Sequence, residues 1–244
     1  MIAQIKAELL KVRSTRTTLG LLLGMIALIL LFSLLTGLLS QASALTSTEH
    51  QRQVLSLGSL AGLFSALAGV LLVTSEYRYG TIRPTFLFTP RRPRVLVAKL
   101  AAGLLAGIVF GVLGEGVGFG IGYLILDARG ISFSLSGGDV ALLVLGTLAA
   151  TSLWGAMGVG LGAILRNQVG AVITLLAWGF IVDNLLFGLV PSVGRFTPTR
   201  AQDAFIGLTT EHLLSPAAGG LVLVAWVVVL AVIGLPLVTR RDVT

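Results

Sequence analysis

The chain has 244 residues, only 11% of them charged, against roughly 25% in soluble domains. Counted with Gly and without Tyr, about two-thirds of it is apolar, against ~45–50% for a soluble fold. A soluble fold of this size cannot hide that much apolar surface, so an ordinary cytosolic enzyme, a disordered chain and a secreted disulfide scaffold are excluded. The mean hydropathy of +0.99 points to the bilayer as solvent. With no cysteine there are no disulfides, thiol nucleophiles or thiolate metal sites.

From the N-terminus, Ile2, Ile5, Leu9 and Val12 recur at helical steps, with Lys6, Glu8, Lys11 and Arg13 elsewhere around the wheel. Residues 1–17 therefore read as an amphipathic helix lying in the membrane interface and held partly by anionic lipid. Six stretches then reach the ~20 apolar residues that a membrane helix needs: 19–39, 54–75, 100–126, 140–165, 169–190 and 217–238. The expected fold class is all-α: one polytopic transmembrane domain over 1–244. Leu19–Leu35 followed by Ala42-Ser43-Ala44 has the outline of a signal peptide, but its apolar stretch exceeds the usual core of ~7–15 residues, which favours a first span.

An even number of spans puts both termini on one side. If that side is the cytoplasm, thirteen of the 17 Lys and Arg fall in inner segments, and Arg52, Arg129, Arg195 and Arg200 fall in outer loops. The positive-inside rule thus predicts cytoplasmic termini. Cations confined to membrane boundaries, without interleaved stacking aromatics, argue against nucleic acid as a partner.

Gly20–Gly24, Gly58–Gly62 and Gly158–Gly162 each form a GxxxG pair. The third span carries two series, Gly103, Gly107, Gly111 and then Gly114, Gly118, Gly122. Such a stripe lets backbones approach, so that helix is expected to press against another, in the same chain or in a second copy. Glu115 and Asp183 fall inside spans, where a charge costs ~2.5–3.5 kcal/mol on insertion scales. Either acid can relay a proton or bind a cation. The alternatives are neutralisation, a hydrogen bond to a neighbouring helix and, for Asp183, a misplaced span edge.

None of the three lysines follows a glycine, so the chain has no Walker nucleotide site and no ATP or Mg of its own. His50 and His212 lack a second histidine at ligand spacing, so no metal site is expected. No catalytic triad or nucleophile elbow is recognisable, so an enzyme is not expected.

The longest inner segment runs from Glu76 through Tyr77, Arg78, Gly80 and Thr81 to Pro90, Arg91, Arg92, Arg94 and Lys99. It reads as a basic loop lying against headgroups, with Pro84 interrupting any helix within it and Glu76 placed to pair with a nearby cation. Glu-x-x-x-Gly-Thr after the second span, then Pro, Arg and a Lys opening the third, resembles the permease subunits of type-2 ATP-binding-cassette (ABC) exporters. In this chain those positions are Glu76, Gly80, Thr81, Pro90, Arg92 and Lys99.

The resemblance implies a homodimer or a pair of related permeases in the inner (plasma) membrane. Each permease would dock a cytoplasmic ATPase, which carries ATP and Mg, through the 76–99 loop and the N-terminal helix. It implies that Glu76→Ala or Gly80→Val uncouples ATP hydrolysis from transport. It also implies that the loop 191–216 dips back into the membrane, with Phe196, Phe205, Ile206, Leu213 and Leu214 as apolar candidates. The composition, rich in Ala, Gly, Val and Arg, resembles that of a high-GC bacterium. The aliphatic, glycine-rich spans suggest a drug, a peptide or a lipid-like cargo. The competing expectations are a secondary transporter or channel using Glu115 or Asp183, and a non-transporting membrane anchor or assembly subunit.

Overall fold

A computed structural model describes residues 1–88 and 91–240; Pro90 and Arg241 lie outside the described residues. The described chain is 85% helical with no strand. Helix α1 (Ile2–Ser14) is separated from α2 (Arg16–Leu39) by a single extended residue, Thr15. Helix α3 (Thr48–Leu55) continues through a tight turn into α4 (Ala61–Arg78). Next come α5 (Ile82–Phe88), α6 (Arg92–Ala128) and α7 (Gly137–Leu165). Helices α8 (Gln168–Ala177) and α9 (Asp183–Leu189) are joined by one widened turn. The short α10 (Pro191–Gly194) and α11 (Pro198–Phe205) precede the long α12 (Pro216–Arg240).

Six helical stretches are long and apolar enough to cross a membrane: Arg16–Leu39, Thr48–Arg78, Arg92–Ala128, Gly137–Leu165, Gln168–Leu189 and Pro216–Thr239. Each contains or closely matches one of the stretches expected from sequence. The second and third begin earlier than expected because polar first turns carry the helix beyond the apolar core.

Burial divides the six into two classes. Between 50 and 61% of the second, third and fourth spans is buried, against 11–17% of the other three. The centre is therefore α4, α6 and α7, and glycine explains how closely they meet. A Cβ on Gly103 would sit 2.8 Å from the Gly155 carbonyl oxygen, and one on Gly158 would clash with the Ala66 carbonyl. Gly114 and Gly118 pack on Gly58. The Gly103–Gly122 stripe is thus occupied within the chain, with no face of it left for a second copy. Ser65 Oγ donates to the Thr151 carbonyl at 2.8 Å and Ser152 Oγ to the Leu104 carbonyl at 2.9 Å, closing gaps between the same helices. Without a hydrophobic drive in lipid, this close packing and these bonds hold the spans together.

The 191–216 connection is not a simple loop. Helix α11 packs beside the first turns of α12, where Gly219 meets the Ala201 carbonyl. Ile206 is fully buried against Gly146, and Gln202 Nε2 donates to the Ser59 carbonyl at 3.4 Å. Phe196 is exposed, whereas Leu213 and Leu214 are half-buried.

Candidate functional site

Four charged side chains from three elements meet at one end of the bundle. Glu8 comes from α1, with Lys11 one turn on; Glu76 lies near the end of α4; Lys99 lies two turns into α6. Lys99 Nζ lies 2.8 Å from Glu8 Oε2 and 2.9 Å from Glu76 Oε1, and it donates to the Leu72 carbonyl at 3.0 Å. Those contacts use all three ammonium protons. Lys11 Nζ bridges the same acids, at 2.8 Å from Glu8 Oε1 and 2.6 Å from Glu76 Oε1. Two acids and two lysines leave the cluster neutral.

Desolvation decides how strong this junction is. The Lys99, Glu76 and Glu8 side chains are 3, 6 and 7% exposed, whereas that of Lys11 is 43% exposed. Burial lowers the Lys11 pKa, but its hydrogen bonds to Glu76 and Glu8 outweigh that and hold it above its ordinary value. Losing one partner of a buried pair costs about 3–5 kcal/mol, because the other charge stays buried and uncompensated. The junction therefore fixes α1, the end of α4 and the start of α6 as one block. Glu76 Oε2 is buried with no hydrogen-bond partner among the described residues.

The rest of the segment surrounds that block. Tyr77 lies under the Arg166 guanidinium, 5.3 Å from ring centre to carbon. Arg166 takes a left-handed conformation, φ 53°, at the end of α7 and donates to the Leu237 carbonyl of α12. Arg78 donates to Gln168 Oε1 at 3.3 Å, and Arg92 to the Thr239 carbonyl at 3.2 Å. The chain turns at Gly80, whose φ of +71° suits a residue without Cβ. The Thr81 carbonyl accepts from Thr85 N in the first turn of α5. Arg91 and Arg94 are exposed.

The expected loop, interrupted at Pro84, is corrected here. Residues 82–88 form a helix, because Pro84 sits in its first turn, where a missing N–H breaks no intrahelical bond. The charged face of α1 is corrected too. Glu8 turns into the bundle instead of facing headgroups. Its one sequence signal was Lys99, a cation among Ala98, Leu100 and Ala101 that needs an acid once buried. The importance of Glu8 and Arg166 was not read from sequence, since their partners lie 91 and 71 positions away.

The two intramembrane acids are brought to different places. Glu115 is 2% exposed where α6 meets α7 and the turn before α4, packed on Gly58 and facing the Thr147 side chain, and among the described residues neither carboxyl oxygen is within hydrogen-bond geometry of a partner. Asp183 is fully buried next to the widened turn; its Oδ2 accepts from Thr199 N at 3.2 Å, and among the described residues its Oδ1 makes no hydrogen bond of good geometry. It is held by α11 and does not lie at a loose span edge. Nearby, Arg200 pairs with Asp203 at 3.0 Å and with Asn184 at 2.7 Å. Burial pushes the Asp203 carboxyl up to about 6.

The opposite end of the bundle is tied by polar contacts as well. Arg52 joins Asp139, itself in a capping box with Ser136, to the Gly207 carbonyl. Buried Gln51 donates to the Leu45 and Ser132 carbonyls and accepts from Ser134 N. Among the described residues no group of His, Cys, Asp or Glu side chains can hold a metal ion. In comparison with known proteins, no family model and no curated sequence matches this chain.

Proposed function

We propose that this chain is the permease subunit of an ABC exporter, paired with a second permease and docked on a separate cytoplasmic ATPase. Both termini and the 76–99 segment then face the cytoplasm of the plasma membrane. The observation that carries the reading is the neutral ion cluster of Glu8, Lys11, Glu76 and Lys99. It welds the N-terminal helix to the ends of the second and third spans, the two elements that the sequence resemblance implies meet the ATPase. A push on the exposed surface around Arg91 and Arg94 is then delivered to α4 and α6 as one rigid step, without bending the junction. ATP and Mg stay on the partner, and the cargo leaves along the membrane-spanning helices.

The test is co-expression with a candidate ATPase. The expected result is an ATPase that co-purifies with the wild-type chain and is lost from Arg91→Glu/Arg94→Glu, a change confined to exposed side chains. Normal transport in vesicles lacking any ATPase overturns the reading.

Glu115 favours a second reading, an ion-coupled transporter, because both its oxygens are buried and, among the described residues, neither makes a hydrogen bond of good geometry. Under that reading transport collapses with the proton gradient and with Glu115→Gln.

A further inference from the structure

We infer that one anionic phospholipid binds in the groove between α1, α2 and α6, its headgroup on Arg13 and Arg16. The groove has a volume of about 370 Å³ and is open along one side. Leu9 and Val12 of α1, Leu22 of α2, and Leu105, Val109 and Phe110 of α6 form its apolar walls, and Arg13 stands at its rim.

Length and charge identify the occupant. From Lys99, where α6 leaves its polar end, to Phe110 is ~16 Å at 1.5 Å per residue, about half of a ~30 Å hydrocarbon core. The groove is lined on α6 from Leu105 to Phe110, so it lies within one leaflet and suits a stretch of one acyl chain. Glu8 is the sole acid of residues 1–17, and the ion cluster consumes it together with Lys11. Lys6, Arg13 and Arg16 remain as exposed cations, and no acid lines the groove. Of these, Arg13 lines the groove and Arg16 lies two positions before Thr18, which also lines it, so burying the one carboxylate leaves cations beside an apolar slot, complementary to a headgroup phosphate above an acyl chain. The inference does not depend on what energises the protein.

Native mass spectrometry of the full chain, released from detergent and titrated with phosphatidylglycerol or phosphatidylcholine, tests it. The expected result is one retained phosphatidylglycerol per chain, preferred about tenfold or more, as two cations near a headgroup supply. Arg13→Gln/Arg16→Gln, both exposed, removes the preference without affecting folding. Leu105→Trp fills the slot and lowers retention of both lipids. Equal retention of the two lipids by the wild type overturns the inference, as does an undiminished preference in the double variant. So does a disulfide between Leu105→Cys residues of two chains in membranes, which would show the groove covered by a second copy.

Discussion

Lys99 has three polar partners and almost no water, and its worth to the fold follows from that imbalance. Replacing it with Met removes one positive charge and leaves Glu8 and Glu76 sharing Lys11 alone. The cluster then carries a buried net negative charge. Lys99→Met is expected to lower stability by about 3–5 kcal/mol, read as a shift in denaturant midpoint in mild detergent. Lys11→Met removes the same formal charge but from the half-exposed side of the cluster, where water can reach the space it leaves, and Lys99 still pairs with both acids. It is expected to cost visibly less than Lys99→Met. Equal losses from the two variants would mean that burial is not what makes this junction strong. Gly80 and Arg166 are a second kind of residue-scale constraint. Both have positive φ; glycine takes it freely, whereas Arg166 holds it through Tyr77 and the Leu237 carbonyl.

Helix packing here is limited by contact distance more than by apolar area. Where α4, α6 and α7 touch, backbone meets backbone, so a single methyl group has nowhere to go. Gly158→Ala is expected to cost at least about 1–3 kcal/mol, since the obstacle is the Ala66 main chain and not a flexible side-chain tip. Gly116→Ala, with open space around it, is expected to be neutral or to stabilise by about 0.5–1 kcal/mol. Thermal unfolding of the two variants side by side separates a packing glycine from a merely frequent one, a distinction that the GxxxG spacing alone does not make. The six spans were legible in sequence because a helix in lipid must satisfy its backbone internally, so apolar length is nearly the whole criterion. Their polar extensions were not. Helix α6 is ~55 Å long, well beyond the hydrocarbon core, and its first two turns are basic, so hydropathy alone stops short of Arg92. Likewise Pro84 read as a helix breaker because its place in a first turn depends on where the helix starts. Glu8 and Lys99 could each be seen as charges, but their meeting is a property of the tertiary fold.

At the scale of the molecule, polar ties sit at both ends of the bundle and tightly packed small residues lie between them. The Glu8–Lys11–Glu76–Lys99 cluster closes one end, and the Arg52–Asp139 pair with buried Gln51 closes the other. Three central spans are thereby clamped, while α2, α8–α9 and α12 present mostly exposed apolar surface. Which end faces the cytoplasm decides whether the exposed Arg91 and Arg94 can meet an ATPase at all. The arginines assigned to outer loops are mostly engaged locally: Arg52 with Asp139, Arg129 with the Ser40 carbonyl, Arg200 with Asp203. At the other end Lys6, Arg13, Arg16, Arg91 and Arg94 are exposed, so exposed cations gather on the side of α1. That distribution strengthens the charge bias which predicts cytoplasmic termini. Because the chain has no cysteine, one introduced thiol reports one position. In intact cells a membrane-impermeant maleimide is expected to label Thr210→Cys at once and Arg91→Cys only after permeabilisation. Both sites are exposed, so silence at either reports the membrane and not burial. The opposite pattern would place the ion cluster outside the cell and remove the ATPase-docking surface from the side where ATP is.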